Sequence, residues 1–377
     1  MAKIDGFPIF VPGLYPGDRA RVEITEVRRG FARGTRREIL ARTPLRRSIS
    51  CPVAETCGGC DWAELRLDAQ LDAKRRILVE SLRRTGRFDP DSLPEIRIHP
   101  SPLDYRLRSR LHAGPAEEGG PSSLGFFAKA CHEVVPLPAE CEVVGPGLLK
   151  ATGSIRSSGL ADGDEIIAFE TPDDIVIQAS SSGAKEVSLR VDATIPPGES
   201  TSFRYVLSTD SFFQVNRHLL GTLVGIVGAA AAPVRDRSLA LDLFAGVGFF
   251  TLPLARMFER VVSVEDSRES YRYALVNAGS EPGVRPLRGR VEEVLRDLDD
   301  RASFILLDPP RAGAHAEVIS EIDRLSSSTI AWLSCDPVTL ARDLRRLADR
   351  GWALASLDLI DLFPNTHHVE TFAVMTR

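Results

Sequence analysis

Cys335 is placed as an activated nucleophile would be, although a buried inert cysteine is the plainer reading of a thiol at a strand end. It follows an apolar run over 330–333 and precedes Asp336-Pro337 and a helical pattern over 339–348. A thiol between the end of a strand and the start of a helix can act as a nucleophile, because helix N-terminal amides favour the thiolate. A second apolar run, 304–307, ends in Asp308-Pro-Pro-Arg311. Consecutive prolines there fix a rigid loop poor in hydrogen bonds. Glu370 ends the loop Phe363-Pro-Asn-Thr-His-His-Val and can serve as a base. His367 and His368 have no third partner and read as loop residues.

These groups need a scaffold, and Leu239–Leu254 supplies its centre. The stretch reads LALDLFAGVGFFTLPL: a buried strand, a turn at Gly246-Val-Gly248, then a helical pattern over 249–257. That unit brings backbone amides close to a nucleotide-like ligand. Thr251 stands where a dinucleotide fingerprint has its third glycine, so that pattern fails. The next strand ends in Glu265, placed to accept two ribose hydroxyls, and Asp242 lies ahead of the turn. Acidic groups around a ribose site fit S-adenosylmethionine, a sulfonium cation, better than NAD. In an open α/β sheet the strands' carboxyl ends form the ligand crevice, so Gly246, Asp308, Arg311 and Cys335 should share it.

The cysteines form the third group. Cys51, Cys57 and Cys60 are spaced C-x5-C-x2-C, with Gly58 and Gly59 letting the chain wrap tightly. With Cys141 or Cys131 as fourth ligand they suit zinc or an iron–sulfur cluster about equally. No thioredoxin-like context surrounds the pair Cys57–Cys60.

Stepping outward, 377 residues imply two or three domains. An apolar content of 43% and a charged content of 26% describe a chain that can bury a core. No apolar run is long enough to span a membrane, no signal-peptide layout opens the chain, and a cytoplasmic protein is expected. The net charge is −5, yet residues 1–50 hold eleven Lys/Arg against five Asp/Glu. A basic end on an acidic body suggests a polyanion partner. Residues 1–45 alternate as short strands with turns at Pro12-Gly13 and Pro16-Gly17, the pattern of a small OB-like barrel. A helix is expected over 62–87, with Leu67, Leu71, Leu78 and Leu82 on one face. Residues 46–205 read as a β-rich central domain, in which Arg106, Arg108 and Arg110 alternate and can track phosphates. Residues 206–377 read as the α/β domain.

Taken in order, these segments resemble the uracil-5 RNA methyltransferases, which make 5-methyluridine in ribosomal or transfer RNA. FVPGLYPGDRARVEI resembles a TRAM module, and CPVAETCGGC with Gln70-Leu71 and Lys74 resembles the family's iron–sulfur segment. SFFQVN, LDLFAGVGFFTLPLA, VVSVE, LLDPPRAG, LSCDPVTLARDL and FPNTHHVE follow in family order. The resemblance implies a Rossmann-like methyltransferase domain, a [4Fe–4S] cluster on Cys51, Cys57, Cys60 and Cys141, and Cys131 as bystander. It implies S-adenosylmethionine contacts from Gln214, Phe244, Glu265 and Asp308, beside the turn glycines Gly246 and Gly248. It implies Cys335 as nucleophile and Glu370 as base, in a monomer acting on RNA, ribosomal RNA favoured over transfer RNA. Three departures stand out. Phe249 replaces a frequent asparagine. Asp336 replaces the usual asparagine after the cysteine and puts charge beside a thiolate. The TRAM segment starts late, which leaves its barrel short of a first strand or its start upstream. Phe249 and Asp336 motivate an alternative, an RNA-binding protein with an inactive methyltransferase domain; the cysteines motivate another, a redox or zinc module.

Overall fold

The computed structural model describes residues 2–116, 122–156, 160–172, 174–179, 182–196, 198–279 and 281–377. The chain opens with β1 (Ala2–Ile4), β2 (Phe7–Phe10), β3 (Arg19–Val27) and β4 (Ala32–Ala41), ordered β1-β2-β4-β3. Asp5 and Gly6, both at positive φ, make the tight turn between β1 and β2. Ile9, Val11 and Ala32 form the buried centre. A core that small must lean on its neighbours. Arg46 is the tie: it is nearly solvent-free, donates to Asp18 at 2.6 Å and Glu64 at 2.7 Å, and lies 4.6 Å from the Tyr15 ring centroid.

Helix α1 (Leu67–Arg84) buries Gln70, Lys74, Leu78, Ser81 and Leu82, a stripe at i, i+4 spacing. The sequence had pointed to Leu67 and Leu71 at its start; polar Gln70 and Lys74 take the buried positions instead. Strand β5 (Ile96–His99) follows. A five-stranded antiparallel sheet comes next: β6 (Arg108–Ala116), β7 (Ser122–Phe127), β8 (Val134–Pro136), then helix α2 (Pro146–Arg156), β9 (Glu165–Glu170) and β10 (Ile175–Ala179), in the order β10-β9-β6-β7-β8.

The hairpin of β11 (Glu186–Ile195) and β12 (Glu199–Ser208) leads to helix α3 (Leu220–Ala231). The α/β layer then runs β13 (Leu239–Leu243), α4 (Thr251–Ala255), β14 (Arg260–Glu265), α5 (Arg268–Ala278), β15 (Val284–Arg288), α6 (Val291–Arg296) and β16 (Ala302–Leu307). It ends with α7 (Ala316–Leu325), β17 (Ser326–Ser334), α8 (Pro337–Ala348), β18 (Ala353–Ile360) and β19 (Glu370–Thr376). Its sheet has the order β15-β14-β13-β16-β17-β19-β18-β5, parallel except for β19. Alternate residues feed the two faces. Ile305 and Leu307 join the cluster under α1, α7 and α8; Phe304 and Leu306 join the one under α3 and the hairpin.

Residues 46–205 therefore do not keep to one body. β5 pairs with β18 at the sheet edge, α1 lies on α8, and the hairpin lies on α3. The buried residues of β11 alternate strictly and need an apolar cover, which α3 supplies. Gly221 permits the close approach: a Cβ there would stand 2.4 Å from the Asp192 carbonyl oxygen. Among the described residues no helix is long and apolar enough to cross a membrane.

Candidate active site

Strand order reverses at β13, which lies between β14 and β16, and the carboxyl ends of these strands open a crevice there. Phe244 follows β13, Glu265 closes β14, Asp308 follows β16 and Cys335 follows β17. Ser334 is the register partner of Thr371, so antiparallel pairing brings Cys335 beside Glu370 at the start of β19. Gln214 comes from the segment before α3, and its Nε2 donates to Asp308 Oδ2 at 3.4 Å.

The glycine turn is built for approach. Gly246 and Gly248 hold φ of 56° and 87°, and a Cβ at Gly246 would meet nothing within 4 Å. The Gly246 and Ser267 amides donate to the two Glu265 oxygens, each at 2.8 Å, so that carboxylate is fixed by the backbone. Phe244 holds φ of 61°, which for an aromatic residue is a strained conformation.

The crevice is crowded with acids. Burial pushes Asp242 up to about 7, and Asp308 likewise to about 7 with Asp242 adding to it. Burial, then Asp308, pushes Glu370 well above the ordinary carboxylate range, with Arg311 opposing. Cys335 is raised as well, by burial first and then by Glu370, while Arg311 opposes by charge and by a hydrogen bond. Such a set favours a cationic ligand, whose charge would let the carboxylates ionise.

The surroundings of Cys335 differ from the expectation. Amides at the α8 N-terminus were expected to favour a Cys335 thiolate, and Asp336 to oppose it. Instead Asp336 caps α8, accepting from the Val338 and Thr339 amides at 2.9 and 2.8 Å. Its carboxylate consumes the helix-terminal amides, and Arg311 is the cation left beside the thiol. Phe249, which stands where an asparagine is frequent, is buried among Tyr205, Phe213 and Phe250, with ring centroids 5.4, 5.3 and 4.8 Å away.

Cys51, Cys57, Cys60 and Cys141 line one pocket walled by Phe126, Val135, Leu137 and Val143, whereas Cys131 is exposed elsewhere. Burial raises all four thiols, Cys60 to about 12, and the thiols raise one another. Among the described residues no group of three or more His, Cys, Asp or Glu side chains is arranged to hold a metal ion. The donor set is nonetheless a soft one in an apolar setting, which suits a thiolate-bound metal centre.

The three arginines expected to track phosphates part company. Arg106 precedes β6, half-buried beside the cysteines, with its Nε withdrawn from solvent and unpartnered among the described residues. Arg108 donates to the Thr209 carbonyl at 2.7 Å, and exposed Arg110 pairs with Glu165 at 3.4 Å. The sequence reading gave Asn216 no duty; it is fully buried and donates to Ser101 Oγ and the Leu362 carbonyl. It also missed the contact of Arg311 Nη2 with His368 Nδ1 at 3.0 Å, which no local pattern announces.

The tRNA (uracil-5-)-methyltransferase family model matches residues 190–288 and 283–377, and the TRAM domain model matches residues 1–35. A relative from Edwardsiella ictaluri, named 23S rRNA (uracil(1939)-C(5))-methyltransferase RlmD, is 32% identical across 99% of this chain and 92% of its own. An uncharacterized RNA methyltransferase of Gloeobacter violaceus is 29% identical across 99% of this chain and 92% of its own. The crystal structure of Pyrococcus abyssi tRNA (uracil-54, C5)-methyltransferase in complex with S-adenosyl-L-homocysteine superposes with a TM-score of 0.72. It covers 97% of this chain and 94% of that one at 22% identity, and shares the fold. With the strand-end crevice, the TRAM segment and full-length relatedness in agreement, the chain belongs to the uracil-5 RNA methyltransferase family.

Proposed function

We propose that this enzyme methylates carbon 5 of a uridine in RNA, ribosomal RNA before transfer RNA, using S-adenosylmethionine. One observation carries the reading: a thiol, Cys335, and a buried carboxyl, Glu370, side by side in a crevice rich in acids. Glu265 would hold the ribose, and Gln214, Phe244 and Asp308 the remainder, around the open turn Gly246-Val-Gly248. Bound there, S-adenosylmethionine supplies an electrophilic methyl group on a cationic sulfur.

Carbon 5 of uracil is a weak nucleophile. Cys335 adds as thiolate to carbon 6, and the electron pair of the 5,6 double bond makes carbon 5 nucleophilic. Arg311, the cation beside the thiol, favours the thiolate. Carbon 5 would take the methyl group with S-adenosylhomocysteine as the leaving group, and Glu370 then takes the proton that carbon 5 still carries. That electron pair restores the double bond and expels Cys335. Glu370 must be ionised to do this, and Arg311 is the residue that draws it that way. The target base must leave its stack to enter the crevice, which favours loop or flipped uridines.

The N-terminal sheet is suited to the RNA. Phe7 and Phe10 are exposed on β2, and Arg33 lies 5.9 Å from the Phe31 ring centroid. Exposed aromatics among arginines offer stacking and charge to a single strand. We propose further that Cys51, Cys57, Cys60 and Cys141 hold a [4Fe–4S] cluster; broad visible absorption would support it, and a colourless zinc-bearing protein would refute it.

The inactive-domain alternative rests on Phe249 and Asp336, and RNA affinity retained without turnover would favour it. The test is methyl transfer from labelled S-adenosylmethionine into unmodified ribosomal and transfer RNA, separately, with nucleoside analysis. Label in 5-methyluridine from one pool supports the reading and picks the substrate. Label in neither refutes it.

A further inference from the structure

The loop leading to Glu370 has no helix or strand, yet Asp361, Leu362, Asn365, Thr366 and Val369 are all buried. Buried irregular backbone must find its partners elsewhere. It finds them in α1 and the cysteine segment. The Asn365 amide donates to Gln70 Oε1 at 2.7 Å, and the Trp62 amide donates to the Asn365 carbonyl at 2.9 Å. Gln70 Nε2 donates back to Asn365 Oδ1 at 3.0 Å, and Asn365 Nδ2 donates to Glu142, the neighbour of Cys141, at 3.2 Å. Lys74 Nζ donates to Asp361 at 2.6 Å and to the Phe363 carbonyl at 3.0 Å. Asp61, the neighbour of Cys60, meets His367 Nδ1 at 2.6 Å. Asn365 itself lines the cysteine pocket.

We propose that Gln70, Lys74, Asp61 and Asn365 are positioning residues, and that the cysteine segment and α1 form the bed that sets the reach of Glu370. The proposal rests on the reading of Glu370 as base. Apolar side chains could fill the same α1 stripe, and replacing a buried ion pair by apolar groups is often neutral or stabilising. A polar stripe here buys geometry: it fixes a segment that no ladder holds. The next links run toward the thiol, since His368 meets Arg311 and Arg311 meets Cys335.

The test uses Asn365→Gly, which tolerates the left-handed φ of 65° while removing the side-chain bonds, and the milder Asp61→Asn. Hydrogen exchange on the full chain reads the loop without any reaction. Faster exchange of the 366–370 amides, with β13 to β17 unchanged, is expected; unchanged loop exchange overturns the proposal. With unmodified ribosomal or transfer RNA, whichever the wild-type protein labels, Asn365→Gly should slow product release about 10- to 100-fold and accumulate a methylated covalent protein–RNA adduct. Asp61→Asn should slow it roughly 3-fold, as a partly exposed pair allows. S-adenosylmethionine affinity should not move. A parallel loss of that affinity and of thermal stability, or wild-type release, overturns the positioning role. Glu370→Gln is the reference: if it releases product at the wild-type rate, the base assignment falls, and the loop-holding role stands on the exchange result.

Discussion

The crevice and the cysteine pocket both gather acidic or thiol side chains, and they gather them by opposite means. Glu265, Asp308, Cys335 and Glu370 hang from the ends of neighbouring strands, so one sheet sets their spacing. The four thiols come from loops. An isolated bridge between Cys57 and Ala128, and the Gly58 amide on the Phe127 carbonyl at 2.9 Å, tie that segment to the end of β7. A sheet end keeps its geometry whatever the ligand does. A pocket of loops depends on each side-chain bond around it.

Removing chemistry from the crevice should leave its architecture intact. Cys335→Ala should lower methyl transfer by about 10⁴-fold or more, with S-adenosylmethionine binding retained by calorimetry. Lost binding would mean that the thiol, unlike its neighbours, shapes the site. Removing donors from the pocket should do the reverse. Cys57→Ser with Cys141→Ser should abolish visible absorption and lower the melting temperature, while exposed Cys131→Ser changes neither. A Cys131→Ser protein that loses its colour would break the comparison.

The aromatic packing beside the glycine turn gives the next effect. Phe249→Asn should destabilise by about 3–5 kcal/mol in denaturant titration, as a large buried aromatic lost from a core does. Tightened cofactor binding in that variant would contradict the placement of Phe249 in the core. Smaller still is a pH effect. Asp242 and Asp308 sit near 7 when folded, and unfolded they return to about 4. The folded chain thus keeps protons that the unfolded chain releases, and this stabilisation is lost as pH rises through 7. His368, lowered to about 4 from 6.5, acts the other way below pH 6.5, so the window from there to pH 8 isolates the acids. In that window the ligand-free melting temperature should fall with pH, and S-adenosylmethionine affinity should rise. Asp308→Asn should lessen both slopes, Asp242 keeping the remainder; a slope unaltered by that change would put the titrating group elsewhere. Smallest of all, Asp336→Asn keeps the cap and should cost under about 0.5 kcal/mol, with the Cys335 alkylation profile against pH unmoved.

The same contrast explains what could be read from the chain alone. Apolar runs ending in Asp308, Cys335 and Glu265 announce strand ends, and strand ends in an open sheet face one crevice, so the acids and the thiol were legible. The glycine turn was legible for the same reason. The bed under Glu370 was not. The resemblance marked Gln70 and Lys74 only as part of the iron–sulfur segment, and their partners lie 295 and 287 residues away. Arg106, Arg108 and Arg110 mislead in the opposite sense. Their alternation suggests a shared face, but Arg106 precedes the strand and turns toward the cysteines. Asp336 was read as a charge beside the thiol because its role as a cap depends on where α8 begins.

Cys141, the last of the four thiols to be made, leaves the ribosome long before Asn365, which lines the cysteine pocket. The separation, 365 − 141 = 224 residues, is an interval of roughly 11–45 seconds at about 5–20 residues per second. For that time the four thiols stand without Asn365 beside them. It is a period in which a metal can be delivered to them, and equally one in which an oxidant can reach them first.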